Sequence, residues 1–136
     1  MNEKNYPEYY KKLSKFIVNK YTYKDAFRRV RQMANALQKV GFQSGDRIAT
    51  LAWNDYRHFE LYYSISCSGQ VCHTVNPRLF PEQIEYIINH AEDKFVFTDP
   101  MFVPLLEQLQ DRLPTVQGFV LMTDAANMPE TSLKNA

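Results

Sequence analysis

Helical stripes and short apolar runs without alternation take turns along this chain, and that succession restricts its fold more than any other feature. Ala26, Val30, Met33, Ala34, Leu37 and Val40 recur at helical spacing. Ahead of them Thr22-Tyr-Lys-Asp25 has the form of a capping box, and behind them Gly41 offers a left-handed stop. Gly45-Asp46 is a turn, after which Arg47–Trp53 reads as a strand that is apolar on both faces, as strands of parallel sheets are. Asn54 or Asp55 can cap a second helix with Phe59, Tyr62, Tyr63 and Ser66 on its inner side, ending at Gly69. Val71–Val75 is the next strand. Pro81 suits a first helical turn, and Ile84, Ile87, Ile88 and Ala91 form a third stripe. Phe95–Phe97, a helix through Leu105, Leu106 and Leu109, and a strand over Phe119–Met122 complete the series.

This order predicts an α/β fold, a layered domain with a mostly parallel sheet flanked by helices. The predicted core is Val30, Met33, Leu37, Ile48, Leu51, Phe59, Tyr62, Ile84, Ile87, Ile88, Phe95, Val96, Leu106 and Val120. The domain spans residues 21–124. Residues 1–20 read as a polar lead-in in which Phe16–Val18 suggests a short strand, and residues 125–136 as a polar tail with nothing to bury.

Composition narrows the function classes. A formal net charge of +1 in 136 residues argues against a nucleic-acid partner, which calls for a basic stripe. There is no transmembrane-length apolar run and no apolar leader segment, so a cytoplasmic location is expected. The two cysteines, Cys67 and Cys72, have neither the number of a disulfide framework nor the spacing of a zinc half-site, and read as free thiols.

Ligands of such sheets bind beyond the carboxyl ends of the strands. Here those positions hold Asn54 to His58, Asn76 to Phe80, Asp99-Pro100 and Thr123-Asp124. No glycine-rich phosphate loop occurs, and four glycines cannot build one. His58, His73 and His90 share no helical face, and Ser64, Ser66 and Ser68 lack a nucleophile elbow. The residues therefore give no catalytic, cofactor-binding or metal-binding set. Arg57, His58, Asn76 and Arg78 remain as candidates at the functional edge, each weighed against a loop-ordering role.

Tyr21–Phe27, Val40–Thr50, Trp53-Asn54, Arg57–Tyr63, His73–Ile84 and Ile88–Asp93 together resemble the opening of the adenylate-forming acyl-CoA synthetases, in the branch of medium- and long-chain fatty acid–CoA ligases. The resemblance runs from about Tyr21 to Asp124. It implies the first subdomain of the adenylate-forming fold. It also implies a parent enzyme that joins a fatty acid to CoA through an acyl-adenylate, using ATP and Mg²⁺ and releasing AMP and pyrophosphate. The family's phosphate loop, nucleotide contacts and catalytic lysine lie downstream of the matching residues. The chain alone is accordingly expected to be inactive and to self-associate as a homodimer through surfaces its parent would cover. The alternative is a stand-alone, non-catalytic α/β interaction module derived from that fold.

Overall fold

The computed structural model describes residues 22–136. Along them run α1 (Tyr23–Val40), β1 (Arg47–Leu51), α2 (Tyr56–Cys67), β2 (Val71–Thr74), α3 (Pro81–Ala91), β3 (Phe95–Thr98), α4 (Val103–Leu109) and β4 (Gly118–Leu121). Single 3-10 turns flank α4 and follow β4. The strands form one sheet in the order β2-β1-β3-β4, every neighbouring pair parallel. Ala49 stands between His73 and Val96, and Val96 stands opposite Phe119. This is the predicted layered α/β architecture.

Local chemistry sets the helix ends. Thr22 Oγ1 accepts the Asp25 N–H at 3.2 Å, and Asp25 Oδ2 accepts the Thr22 N–H at 3.1 Å, so the box at the start of α1 is closed in both directions. Gly41 ends the helix with φ at 97°, a conformation that a side chain disfavours. Pro81 occupies the first turn of α3, where Gln83 Oε1 accepts the Phe80 N–H at 3.1 Å.

Alternate strand residues enter two cores. Leu51, Val96 and Phe119 join Ile84, Ile88, Leu106 and Leu109 on the side of α3 and α4. Ile48, Phe97 and Met122 join Leu37, Leu61 and Ile65 on the side of α1 and α2. Burial on both faces explains why these strands show no polar alternation.

The predicted core holds at Leu37, Ile48, Leu51, Ile84, Ile88, Val96 and Leu106, all buried, while Val30, Met33, Ile87, Phe95 and Val120 are half-buried. It fails at Phe59 and Tyr62, which are 37% and 38% exposed. Helix α2 turns His58, Leu61, Ser64 and Ile65 inward instead. The helix is apolar on two sides, and the pair of aliphatic residues, not the aromatic ones, fits against the sheet. Val40, the last residue of α1, also lies exposed.

The segment 125–136 departs from the expectation that it buries nothing. Leu133 enters the core beside α3 and α4. Asn135 Nδ2–H donates to Gln117 O at 2.9 Å and its carbonyl accepts the Phe119 N–H at 3.4 Å, along the open side of β4. Gly118 permits this approach, because a Cβ there would stand 2.8 Å from the Phe95 ring and 3.0 Å from Asn135 O. The lead-in of residues 1–20, with its Phe16–Val18 strand, lies outside the described residues.

Candidate functional site

The carboxyl ends of the strands converge on Arg57, in the first turn of α2. Asp55 starts that helix by accepting the backbone N–H groups of Arg57 and His58 on Oδ1 at 2.9 and 3.1 Å. Its other oxygen accepts Arg57 Nε–H at 2.8 Å. The guanidinium then reaches two further strand ends. Nη2 lies 3.3 Å from Asp99 Oδ1, just past β3, and Nη1–H donates to the Met122 carbonyl, just past β4. Asp99 Oδ2 accepts the Trp53 N–H at 2.8 Å, which returns the network to the end of β1. One cation thus adds a side-chain tie at strand ends whose backbones are already paired, Asp99 N–H with Leu51 O at 3.3 Å and Met122 N–H with Thr98 O at 2.8 Å.

The electrostatics follow from these contacts. Burial alone would raise the Asp55 carboxyl, but hydrogen bonds from the Arg57 side chain and the His58 N–H outweigh it and hold Asp55 below the ordinary range. Burial opposes the charge of Arg57 as well, and the Asp55 and Asp99 carboxylates more than offset it, pushing the guanidinium up. Nε, Nη1 and Nη2 of this cation each face a protein acceptor.

His58 is the next residue of α2. It is buried beneath α2, with Nε2 2.9 Å from Thr50 Oγ1 and its ring stacked on Tyr62 at 4.5 Å. Burial pushes its imidazole below the ordinary value and favours the neutral form. Asn76 Oδ1 accepts the Arg78 N–H at 3.0 Å and shapes the turn after β2. The Arg78 guanidinium lies 5.6 Å from the Trp53 ring centroid, and Trp53 Nε1–H donates to Met101 Sδ at 2.9 Å. The four candidates therefore separate into three environments: Arg57 in a buried-edge network, His58 in the core, and Asn76 with Arg78 on an exposed rim beside Trp53.

Asp99 is the residue that sequence reasoning passed over, naming it only among the strand-end positions. An acidic residue directly after the short strand Phe95–Thr98 was the available signal. A second pair, His73 Nδ1 with the fully buried Asp93 Oδ2 at 2.7 Å, sits toward the opposite end of the sheet with no nucleophile beside it. Among the described residues, no three His, Cys, Asp or Glu side chains gather to hold a metal ion, and no helix is long and apolar enough to cross a membrane. Around Arg57 the described contacts join the start of α2 to the ends of β3 and β4.

Comparison with known proteins extends this picture. The AMP-binding enzyme family model matches residues 4–136. The medium-chain-fatty-acid–CoA ligase of Ectopseudomonas oleovorans is 51% identical over 105 residues, covering 77% of this chain and 19% of that protein. The long-chain-fatty-acid–CoA ligase of Thermus thermophilus is 45% identical over 109 residues, covering 80% of this chain and 20% of that protein. Among solved structures, a Mycobacterium tuberculosis fatty acyl CoA synthetase superposes with a TM-score of 0.71 at 24% identity, over 74% of this chain and 21% of that one. An anthranilate CoA ligase solved with anthranoyl-AMP superposes with a TM-score of 0.74 at 22% identity, over 76% of this chain and 20% of that one. The chain spans about one-fifth of the length of the curated relatives it matches.

Proposed function

This chain belongs to the AMP-binding enzyme family, and from that membership we propose that it is the N-terminal part of an ATP-dependent fatty acid–CoA ligase. The observation that carries the proposal is the 51% identity to a medium-chain-fatty-acid–CoA ligase over three-quarters of this chain. Within the parent, this subdomain supplies a rigid parallel sheet whose strand ends are fixed by Arg57. The groups that recognise ATP, Mg²⁺, CoA and the fatty acid belong to the rest of the enzyme. The described residues do not fit those groups, since no side chains converge on a metal and no glycine-rich loop offers N–H groups to phosphate. On this reading the isolated chain performs no adenylation, and its parent works in the cytoplasm.

The same reading extends to assembly. Among the described residues, in the order β2-β1-β3-β4, β2 pairs on one side only, and Val71 on it is 48% exposed. Such an edge presents unpaired N–H and C=O groups. With a net charge of only +1 to oppose contact, two copies pair along β2 as a homodimer. Light scattering across a dilution series tests it: a particle mass that rises with concentration supports pairing, and a mass fixed at 16.0 kDa rejects it.

A stand-alone interaction module is the second reading, favoured by the way residues 131–135 close the open side of β4. Reading the coding sequence beyond Ala136 separates the two. A frame that continues into a Ser/Thr/Gly-rich loop with lysine supports the ligase, whereas a stop codon at that point supports the module.

A further inference from the structure

Among the described residues, helices α1 and α2 leave between them an open groove of about 540 Å³. Ala26, Val30 and Ala34, one turn apart on α1, give it a floor of small apolar side chains. Phe27 on α1 and Phe59 and Tyr63 on α2 form its aromatic walls, the last two rings 4.9 Å apart. Phe27 beside it is 63% exposed.

The groove has a polar end. Arg31 and Asn35, again one turn apart, close it on the α1 side. The other ion-forming arginines of α1 are engaged, Arg28 with Asp25 and Arg29 with Glu60. Arg31 instead lies over the Phe27 ring at 5.6 Å, and no carboxylate faces it among the described residues. A weakly hydrated guanidinium beside an apolar channel matches a ligand with a hydrocarbon tail and one anionic head.

We infer that this groove binds a fatty acid, with the chain laid along Ala26, Val30 and Ala34 and the carboxylate held by Arg31 and Asn35. The site lies on the helical face, remote from the Arg57 network at the strand ends, so it is an accessory site and not a reaction centre. The choice of a fatty acid rests on the ligase reading. The measurement below uses neither ATP nor CoA, so the accessory site and the ligase reading fail independently.

Cys67 lines the groove and is exposed, whereas burial pushes the Cys72 thiol up and slows its reaction, so Cys67 serves as the reporter. The full chain is alkylated with iodoacetamide in the presence of decanoate or decan-1-ol, and modification of Cys67 is followed by peptide mass. Decanoate is expected to slow Cys67 alkylation, with decanol far weaker. Arg31→Gln should lower decanoate affinity about tenfold, as loss of a charge-assisted contact does. Ala34→Trp, which fills the floor, should abolish protection while far-ultraviolet dichroism stays that of the parent chain. Equal protection by decanol, protection retained in both variants, or no protection by decanoate overturns the proposal. So does a Cys67 that is shielded without ligand: shielding that fades on dilution identifies a second copy in the groove, and shielding relieved by Phe16→Asp identifies the chain's own first residues.

Discussion

Arg57 Nη2 lies 3.3 Å from Oδ1 of Asp99, a carboxylate only 6% exposed, and this contact joins the start of α2 to the end of β3. Removing the cation leaves Asp99 with the Trp53 N–H as its remaining partner. Arg57→Met should therefore cost about 1–3 kcal/mol, the usual penalty for stripping a hydrogen bond from a buried charged group. Urea unfolding measures it, and a variant as stable as the parent would show that the strand ends need no such tie.

The inward face of α2 gives a second comparison. Ile65 is fully buried, and Phe59 lies at the rim of the outer groove. Ile65→Ala should cost about 2–5 kcal/mol as a cavity-forming change. Phe59→Ala should cost less than about 1 kcal/mol, as exposed positions do. The reverse ranking would restore the aromatic stripe that periodicity suggested.

That contrast shows which features were legible. The alternation of elements, the Thr22–Asp25 box, the Gly41 stop and the parallel sheet could be read from Thr22 onward because each rests on a local rule. The rotation of α2 could not. Its sequence carries apolar residues on two faces, and only the fit of Leu61 and Ile65 against β1 and β3 chooses between them. Arg57 was legible as an edge residue, but its partners Asp99 and Met122 follow it by 42 and 65 positions, and nothing local announces such pairings. Leu133 was missed for the same reason: one leucine in a polar stretch has no period.

A third prediction concerns pH. Burial holds the native His58 imidazole below its ordinary value, so as pH falls the unfolded chain takes up this proton first. The stability that neutral His58 contributes is complete above about pH 6.5, the ordinary histidine value, and is lost as pH falls from there toward the native pKa. His58→Gln should flatten the slope of unfolding free energy against pH below about pH 6.5. An unchanged slope in the variant would place the titration elsewhere.

The closing segment supplies a fourth. Leu133 is buried against α4, and Ser132 N–H donates to Glu107 Oε1 at 2.7 Å. Leu133→Ala should lower stability by about 2–5 kcal/mol. It should also speed hydrogen exchange at the Phe119 amide, whose partner is Asn135 O. Unaltered exchange there would mean that residues 131–135 leave β4 uncovered in solution.

The central claim is that this chain is the first subdomain of a fatty acid–CoA ligase and holds none of the adenylating groups itself. Its most direct test is fatty-acid-dependent release of pyrophosphate from ATP. Two proteins are compared: this chain alone, and this chain fused to the remaining four-fifths of the Ectopseudomonas oleovorans ligase. The account predicts release at the buffer blank for the chain and clear turnover for the fusion. Turnover by the chain alone, or a folded fusion that releases no pyrophosphate, would contradict it.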